Sequence, residues 1–133
     1  MAGERFYLKE KDTRPILSVT LLDPGSTTAV PIVHDCTGAT GVYLHIRLAN
    51  GDELIRDMVF DVDRTSGIVT YTWLATDWTG DPALITGPAV PLSSVAIDHK
   101  MEYEVLGPAA ARMTFPNNGY DLLTIYPEIG QGT

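Results

Sequence analysis

The sequence is poor in cysteine, in basic residues and in long apolar runs, and each shortage excludes a class of protein. Cys36 is the single cysteine among 133 residues, so no disulfide can form within the chain. Nine lysines and arginines stand against 17 acidic residues, and the net charge is −8. A nucleic-acid interface needs clustered basic side chains, and a membrane span needs an apolar run of roughly 20 residues. We therefore predict a protein that binds neither nucleic acid nor membrane.

Residues that could carry chemistry do not combine into a recognisable site. His34, Asp35 and Cys36 are possible zinc ligands, but neighbours on an extended chain point in opposite directions. Segment 61–67 begins like a calcium loop, yet its glycine falls one position late and Thr72 stands where a bidentate glutamate should close the loop. A nucleophile elbow, a phosphate-binding glycine loop and a zinc-binding helix motif are all missing from the sequence. We predict no enzymatic activity, no metal and no cofactor.

What the sequence does contain is a repeated alternation of apolar and polar residues, with turn signals between the runs. In 42–48 every second residue is apolar, which is the pattern of a strand with one buried face. Asn50-Gly51 follows and predicts a hairpin with a two-residue type I′ turn. About eight short strands of this kind predict one all-β domain over residues 1–133, a sandwich or a barrel. The predicted strands are 5–9, 15–21, the short edge segment 30–33, 42–48, 54–62, 68–74, 101–105, 112–115 and 120–126.

One stretch, residues 77–98, breaks this regularity. It contains several glycines and prolines and shows no sustained period, so it predicts a long irregular insertion loop. Trp78 lies in this loop, where it either anchors the loop on the sandwich or contacts a partner. Trp73, Tyr103 and Phe115, in contrast, fall where inward-facing core residues are expected.

The order of motifs resembles that of a known family. The similar segments are 5–15 (an aromatic strand, an acidic-Asp-Thr turn and the start of a second strand), 37–40 ahead of 42–47, 67–73, 103–105 and 114–120. Together they resemble the N-terminal domain of tailed-phage baseplate upper proteins over almost the whole chain. The resemblance implies an immunoglobulin-like antiparallel β-sandwich. There are two departures from the family. The insertion at 77–98 is where the particular role of this protein is expected to lie, and the end of the chain soon after the domain suggests a stand-alone version of the module.

The resemblance implies a non-enzymatic structural protein of a tailed-phage virion, docking on neighbouring subunits of the tail tip or baseplate. The partners would be other virion proteins, in an oligomer or symmetric array. Synthesis in the host cytoplasm is expected, because the first residues lack the basic start and apolar core of a signal peptide. Deletion of the insertion should then abolish incorporation into the particle and leave the fold intact. The predicted interface residues are Phe6, Tyr7, Trp78, Leu84, Ile85, Val90 and Leu92.

Two alternatives remain open at this stage. Small size, acidity and the short C-terminal end suit a decoration protein of the phage head. A function of another class is carbohydrate binding by the β-sandwich, with Tyr43, Tyr71, Trp78 or Tyr126 as a stacking platform.

Overall fold

The structure is a computed structural model that describes residues 4–9, 12–14, 16–80, 82–84, 97–108, 111–116 and 119–126. Within these residues the chain forms two β-sheets, one short α-helix and a single 3-10 turn at Arg64–Ser66, so the predicted all-β class is confirmed. The strands are β1 (Arg5–Lys9), β2 (Leu17–Thr20), β3 (Gly41–Arg47), β4 (Glu53–Asp57), β5 (Val59–Phe60), β6 (Ile68–Tyr71), β7 (Ile97–Leu106), β8 (Arg112–Phe115) and β9 (Asp121–Tyr126). The helix α1 spans Thr76–Thr79.

The larger sheet has the strand order β1-β9-β7-β3-β4, with β8 also paired to β7. The smaller sheet has the order β2-β6-β5. Most neighbours are antiparallel, as expected, but β1 runs parallel to β9, with Arg5 opposite Leu122 and Lys9 opposite Tyr126. The larger sheet is therefore mixed, which differs from the purely antiparallel prediction.

The core lies between the two sheets and follows the alternation of the sequence. On β3, Val42, Leu44 and Ile46 are buried, while the residues between them face solvent on the outer side. Trp73, Tyr103 and Phe115 are at most 2% exposed, so their predicted place in the core is confirmed. The buried Cys36 also belongs to this core.

Two predicted strands are wrong in detail. The segment 54–62 is not one strand, because the chain leaves the larger sheet at Met58, whose N–H donates to the carbonyl of Val42, and β5 joins the smaller sheet. Val62, predicted to share a face with Met58, is fully exposed. The segment 30–33 forms only an isolated bridge, between Val33 and Leu22. The hydroxyl of Ser26 takes the place of a neighbouring strand at Ile32, because it donates to the carbonyl of Ile32 and accepts its N–H.

The predicted hairpin between β3 and β4 is confirmed, but its turn differs from the expected type I′. Leu48 N–H donates to the carbonyl of Asp52, which leaves a three-residue loop rather than two. Gly51 N–H donates back to the carbonyl of Leu48, and Gly51 has a φ of +98°. A turn followed by a left-handed glycine is the usual form of a three-residue hairpin loop. Asn50 supports it, because its side-chain oxygen accepts the N–H of Asp52.

The described residues of the predicted insertion include regular structure. It begins with α1 and ends where β7 starts at Ile97, earlier than the strand predicted from 101. Residues 81 and 85–96 lie outside the described residues.

Candidate functional site

A single buried carboxylate fixes the start of the insertion to the sandwich. Asp77, on α1, is completely buried, and its Oδ1 accepts the Nε–H of Arg56 at 2.7 Å. Its Oδ2 accepts the hydroxyl of Tyr71 at 2.6 Å and the N–H of Leu74 at 2.8 Å. Burial, followed by the neighbouring carboxylate, raises the pKa of Tyr71, so its hydroxyl remains a donor. Asp77 therefore ties α1 to strands of both sheets, β4 and β6.

A buried histidine holds the next part of the insertion. The N–H of Ala49 donates to Nδ1 of His99 at 3.0 Å, so the ring proton lies on Nε2 and donates to the carbonyl of Leu84 at 2.7 Å. Burial lowers the pKa of His99, which favours this neutral form. His99 on β7 thus links the β3–β4 hairpin to Leu84.

These contacts decide where the predicted interface residues of the insertion lie. Trp78 is half-buried against the core, and its indole N–H donates to the carbonyl of Asp12 at 3.0 Å, which is the placement of an anchor. Leu84 is 1% exposed, so the prediction that it contacts another subunit conflicts with its burial. Three further predicted contacts lie outside the described residues: Ile85, Val90 and Leu92.

The expectation that residues 77–98 can be removed without harm to the fold needs the same correction. Such a deletion would remove Asp77, Leu84 and the first residues of β7, all of which are built into the sandwich. A deletion confined to 85–96 spares these groups and is the appropriate way to test the loop.

Phe6 and Tyr7 lie on opposite faces of β1. Phe6 faces inward, with its ring centroid 6.1 Å from that of Trp73. Tyr7 faces outward and stacks on Tyr126 of β9, with the centroids 5.8 Å apart and an interplanar angle of 22°. Tyr7 and Tyr126 are 55% and 45% exposed, so this tyrosine pair is open to solvent.

A cleft of about 310 Å³ opens where β1 and β2 approach each other, one strand from each sheet. Its walls are formed by residues 4–6 on one side and residues 17–22 on the other. Apolar side chains from inside the sandwich, among them Met101 and Phe115, reach its inner surface, and so does the carboxylate of Asp121. We call this feature the seam cleft. It borders the free edges of two strands, one from each sheet.

The carboxylate of Asp121 is 5% exposed and has two hydrogen-bond donors. The N–H of Glu4 donates to Oδ1 at 3.2 Å, and the hydroxyl of Tyr103 donates to Oδ2 at 3.0 Å. Burial is the largest influence on the pKa of Asp121 and raises it, against these two bonds. The acidic Glu4 lies beside it in the same cleft. The seam cleft is therefore lined by both polar and apolar groups, and its floor is acidic.

The outer face of the larger sheet carries a charged cluster instead. His45 on β3 lies between Glu53, at 3.4 Å, and Glu104, at 2.9 Å. Glu104 also accepts Arg112 Nε at 2.7 Å. A shallow depression of about 200 Å³ lies beside this cluster and is lined by Tyr120 among other residues. The charged side chains of this face pair with one another on the solvent side of the sheet, so the face offers little apolar surface to a partner.

Sequence reasoning identified the strands around these sites but not the sites. Nothing in the sequence indicated that Asp77 and Asp121 are buried. A lone aspartate in a loop or at the start of a strand is usually exposed to solvent, and no neighbouring motif marked these two as exceptions. One sequence feature bears on the seam cleft. The segment that forms β2 follows Pro15 and contains no charged residue, although edge strands usually carry one.

Among the described residues, no group of three or more His, Cys, Asp or Glu side chains is arranged to hold a metal ion. The helix in the described part of the chain is too short and polar to cross a membrane. The sequence matches no protein-family model, and no curated protein is significantly similar to it.

Proposed function

We propose that this chain is a non-enzymatic structural protein of a tailed-phage virion, which docks on neighbouring subunits of the tail tip or baseplate. The virion part of the proposal rests on the motif order described above. The strand order adds support: β9-β7-β3-β4 against β2-β6-β5 corresponds to the G-F-C-C′ and B-E-D sheets of an immunoglobulin variable-type sandwich. That fold serves many functions, so the docking role needs an argument from the surface.

The seam cleft is the observation that carries the docking role. It brings the half-buried side chains of Phe6 and Val19 together with the free edges of β1 and β2. Apolar surface that remains accessible beside free backbone groups is a place where another chain can gain both burial and hydrogen bonds. Phe6, one of the predicted interface residues, lines it, and Tyr7 stands beside it on the outer face.

Carbohydrate binding is the second candidate, and one observation favours it. The tyrosine pair of Tyr7 and Tyr126 presents two exposed, nearly parallel rings at the edge of the larger sheet. The other rings considered for a platform do not join it, because Tyr71 is buried and Trp78 is fixed against the core. Tyr43 is half-buried on β3, in the middle of the sheet. A glycan array on wild-type protein and on Tyr126→Ala tests this candidate, since binding must depend on the pair.

The proposal is tested by immunogold labelling of virions from a phage that encodes this chain. Label at the tail tip is the expected result. Label spread over the head would replace the baseplate assignment with the decoration protein that the sequence also allowed. Absence of label from both intact and disrupted particles would refute a virion role. Label in disrupted particles alone would support a docking protein enclosed by its neighbours.

A further inference from the structure

The seam cleft runs along the edge of β2 rather than against one of its faces. In a strand, successive side chains point to opposite faces, so a cavity against one face touches every second residue. All six consecutive residues 17–22 line this cleft, and so do the three consecutive residues 4–6 on the opposite wall. A cleft that follows both strand edges, where the backbone of every residue can be reached, accounts for this lining. We infer that its long direction is that of an added strand.

The backbone of β2 is prepared for such an addition. β2 pairs with β6 in antiparallel register, with Val19 opposite Val69, and Leu21 N–H donates to the carbonyl of Gly67. In this register the odd-numbered residues bond towards β6, and the N–H and C=O groups of Ser18 and Thr20 point to the other edge. Within the described residues no strand occupies that edge.

The side chains of β2 also differ from those of the other edges. Edge strands are usually protected from unwanted pairing by charged residues, by inward-pointing charges or by shortness. β1 carries Arg5 and Lys9, and β5 has only two residues. β4 carries an inward-pointing Arg56, and β8 carries Arg112. The four residues of β2 carry no charge at all: Leu17, Ser18, Val19 and Thr20. Because the other edges have this protection and β2 lacks it, β2 is the edge suited to a specific partner.

The charges in the cleft indicate the chemistry of that partner. Asp121 and Glu4 place two carboxyl groups at the cleft, and the hydrogen bonds to Asp121 come from neutral donors, a backbone N–H and a tyrosine hydroxyl. The guanidinium of Arg5 is directed away, since it bonds Asp98 at 3.1 Å and Thr124 at 2.6 Å on the outer face. A lysine or arginine that entered with the partner would supply a counter-charge in a partly dehydrated place, where charge pairing is strongest.

We propose that the seam cleft binds an extended segment of a partner protein, which adds to the free edge of β2 as a fourth strand. Apolar side chains at alternate positions of the segment fill the cleft, and one lysine or arginine pairs with Asp121 and Glu4. The inference deepens the proposed docking function and rests on it, since it names the surface and the chemical kind of partner.

A second copy of this chain is a poorer occupant than a basic partner. Each copy carries a net charge of −8, so association of two copies brings like charges together. The basic partner gains from the same charge, both in encounter rate and in pairing with the cleft. Protection of the β2 edge by self-association of the chain would therefore count against the proposal.

The probes are synthetic eight-residue peptides that alternate threonine with valine, leucine or phenylalanine and carry one lysine among the apolar positions. The control peptides carry glutamate at that position. Amide resonances and hydrogen exchange of the isotope-labelled protein report the binding. In the free protein the amides of Ser18 and Thr20 should exchange quickly. The lysine peptides should shift and protect these two amides, and they should bind about tenfold more tightly than the glutamate peptides.

Two variants distinguish strand addition from non-specific binding of the peptides. Thr20→Pro removes an outward N–H from β2 without touching its ladder to β6, so it should abolish protection, while Thr20→Val should bind as wild type does. Asp121→Asn keeps the size of the side chain and should clearly reduce the preference for lysine over glutamate, while Glu4 keeps part of it. If Thr20→Pro does not fold, Asp121→Asn still decides the charge argument, and Ser18 protection in wild type decides the strand argument.

The contrary results are equally definite. The proposal is overturned if no peptide protects Ser18 and Thr20 at about 1 mM, or if lysine and glutamate peptides bind alike. It is also overturned if the two amides are already protected in the free monomer, or only in a self-associated form seen by sedimentation. Purified protein and synthetic peptides suffice here. Failure of this test is therefore distinct from failure of the virion assignment, which particle labelling decides.

Discussion

Asp77 and Asp121 are both buried carboxylates between the same two sheets, but their surroundings are opposite. Asp77 accepts bonds from Arg56, Tyr71 and Leu74, so its charge meets a cation and two further donors. Asp121 accepts bonds from the backbone N–H of Glu4 and the hydroxyl of Tyr103, and neither donor is a cation. The first carboxylate joins parts of this chain, whereas the second lines a cleft that is open to solvent.

The difference separates a structural polar contact from a binding one. A buried ion pair that lacks one member leaves an uncompensated charge, so the Asp77 cluster must remain complete for the fold to be stable. Burial raises the pKa of Asp121, so its charged form is less stable in the folded protein than it would be in water. A cation from a partner would stabilise that charged form, and this stabilisation would contribute to binding. Mutations of the two residues should therefore have effects of different size and even of different sign.

The largest effect is expected for Asp77→Ala. The change removes the partner of Arg56, the acceptor of the Tyr71 hydroxyl and the acceptor of the Leu74 N–H, and it should lower the free energy of unfolding by about 3 kcal/mol or more. Urea unfolding measures this loss. The control Glu53→Ala, on the same strand as Arg56, removes long surface contacts with Arg47 and His45 and should cost at most about 0.5 kcal/mol. Equal losses for the two variants would contradict the structural role of Asp77.

Leu84→Ala should have the next largest effect. Leu84 belongs to the core at 1% exposure, and truncation of a buried leucine to alanine costs about 2–4 kcal/mol. Leu74→Ala is the comparison, because Leu74 is 50% exposed and its truncation should cost well under about 1 kcal/mol. Thermal or urea unfolding of both variants checks whether this part of the insertion is core. If the two losses were the same, Leu84 would be free for the interface predicted from the sequence.

A smaller effect is expected from acid, through His99. Its pKa is lowered in the folded protein, mainly by burial and against the attraction of Asp98, so below about pH 6.5 the unfolded chain binds the proton more readily. Its contribution to stability is therefore constant at higher pH and falls as the pH drops below that value, by at most about 2 kcal/mol at pH 5. His99→Gln, which keeps a neutral donor and acceptor, should remove this part of the pH dependence. Unfolding curves between pH 7.5 and 5 on both proteins, roughly half a unit apart, measure the difference.

The outcome of the sequence analysis reflects which information is local. Strands such as β3 were predictable, because alternation of buried and exposed residues is written within seven positions. The change of sheet at Met58 was not, since Met58 and Phe60 continue the alternation across the point where the chain leaves one sheet for the other. The type of the Asn50-Gly51 turn was missed for a related reason, because the loop length depends on the register of the two strands.

The candidate sites depended on contacts between distant parts of the chain. Glu4 and Asp121 are 117 positions apart, and no pattern around either residue shows that they share a cleft. The seam cleft itself arises because β1 joins the larger sheet while β2 is the edge of the smaller one, which is a property of the whole topology. Aromatic residues were easier to assign to the core, as Trp73, Tyr103 and Phe115 show, because each lies within an alternating run.

The smallest effect, and the one of opposite sign, is expected for Asp121→Asn. Since burial raises the pKa of Asp121, its ionised form is less favourable in the folded protein than in the unfolded chain at neutral pH. The neutral amide avoids this cost, and its oxygen can still accept the Glu4 N–H, but its NH2 group cannot accept the Tyr103 hydroxyl. The lost bond offsets part of the gain, so unfolding at pH 7 should be unchanged or more difficult by up to about 1 kcal/mol. The gain should shrink as the pH falls towards 4, because wild-type Asp121 then binds its proton in the folded state. A clear destabilisation at pH 7, similar to that of Asp77→Ala, would mean that Asp121 holds the fold together and would remove the contrast between the two carboxylates.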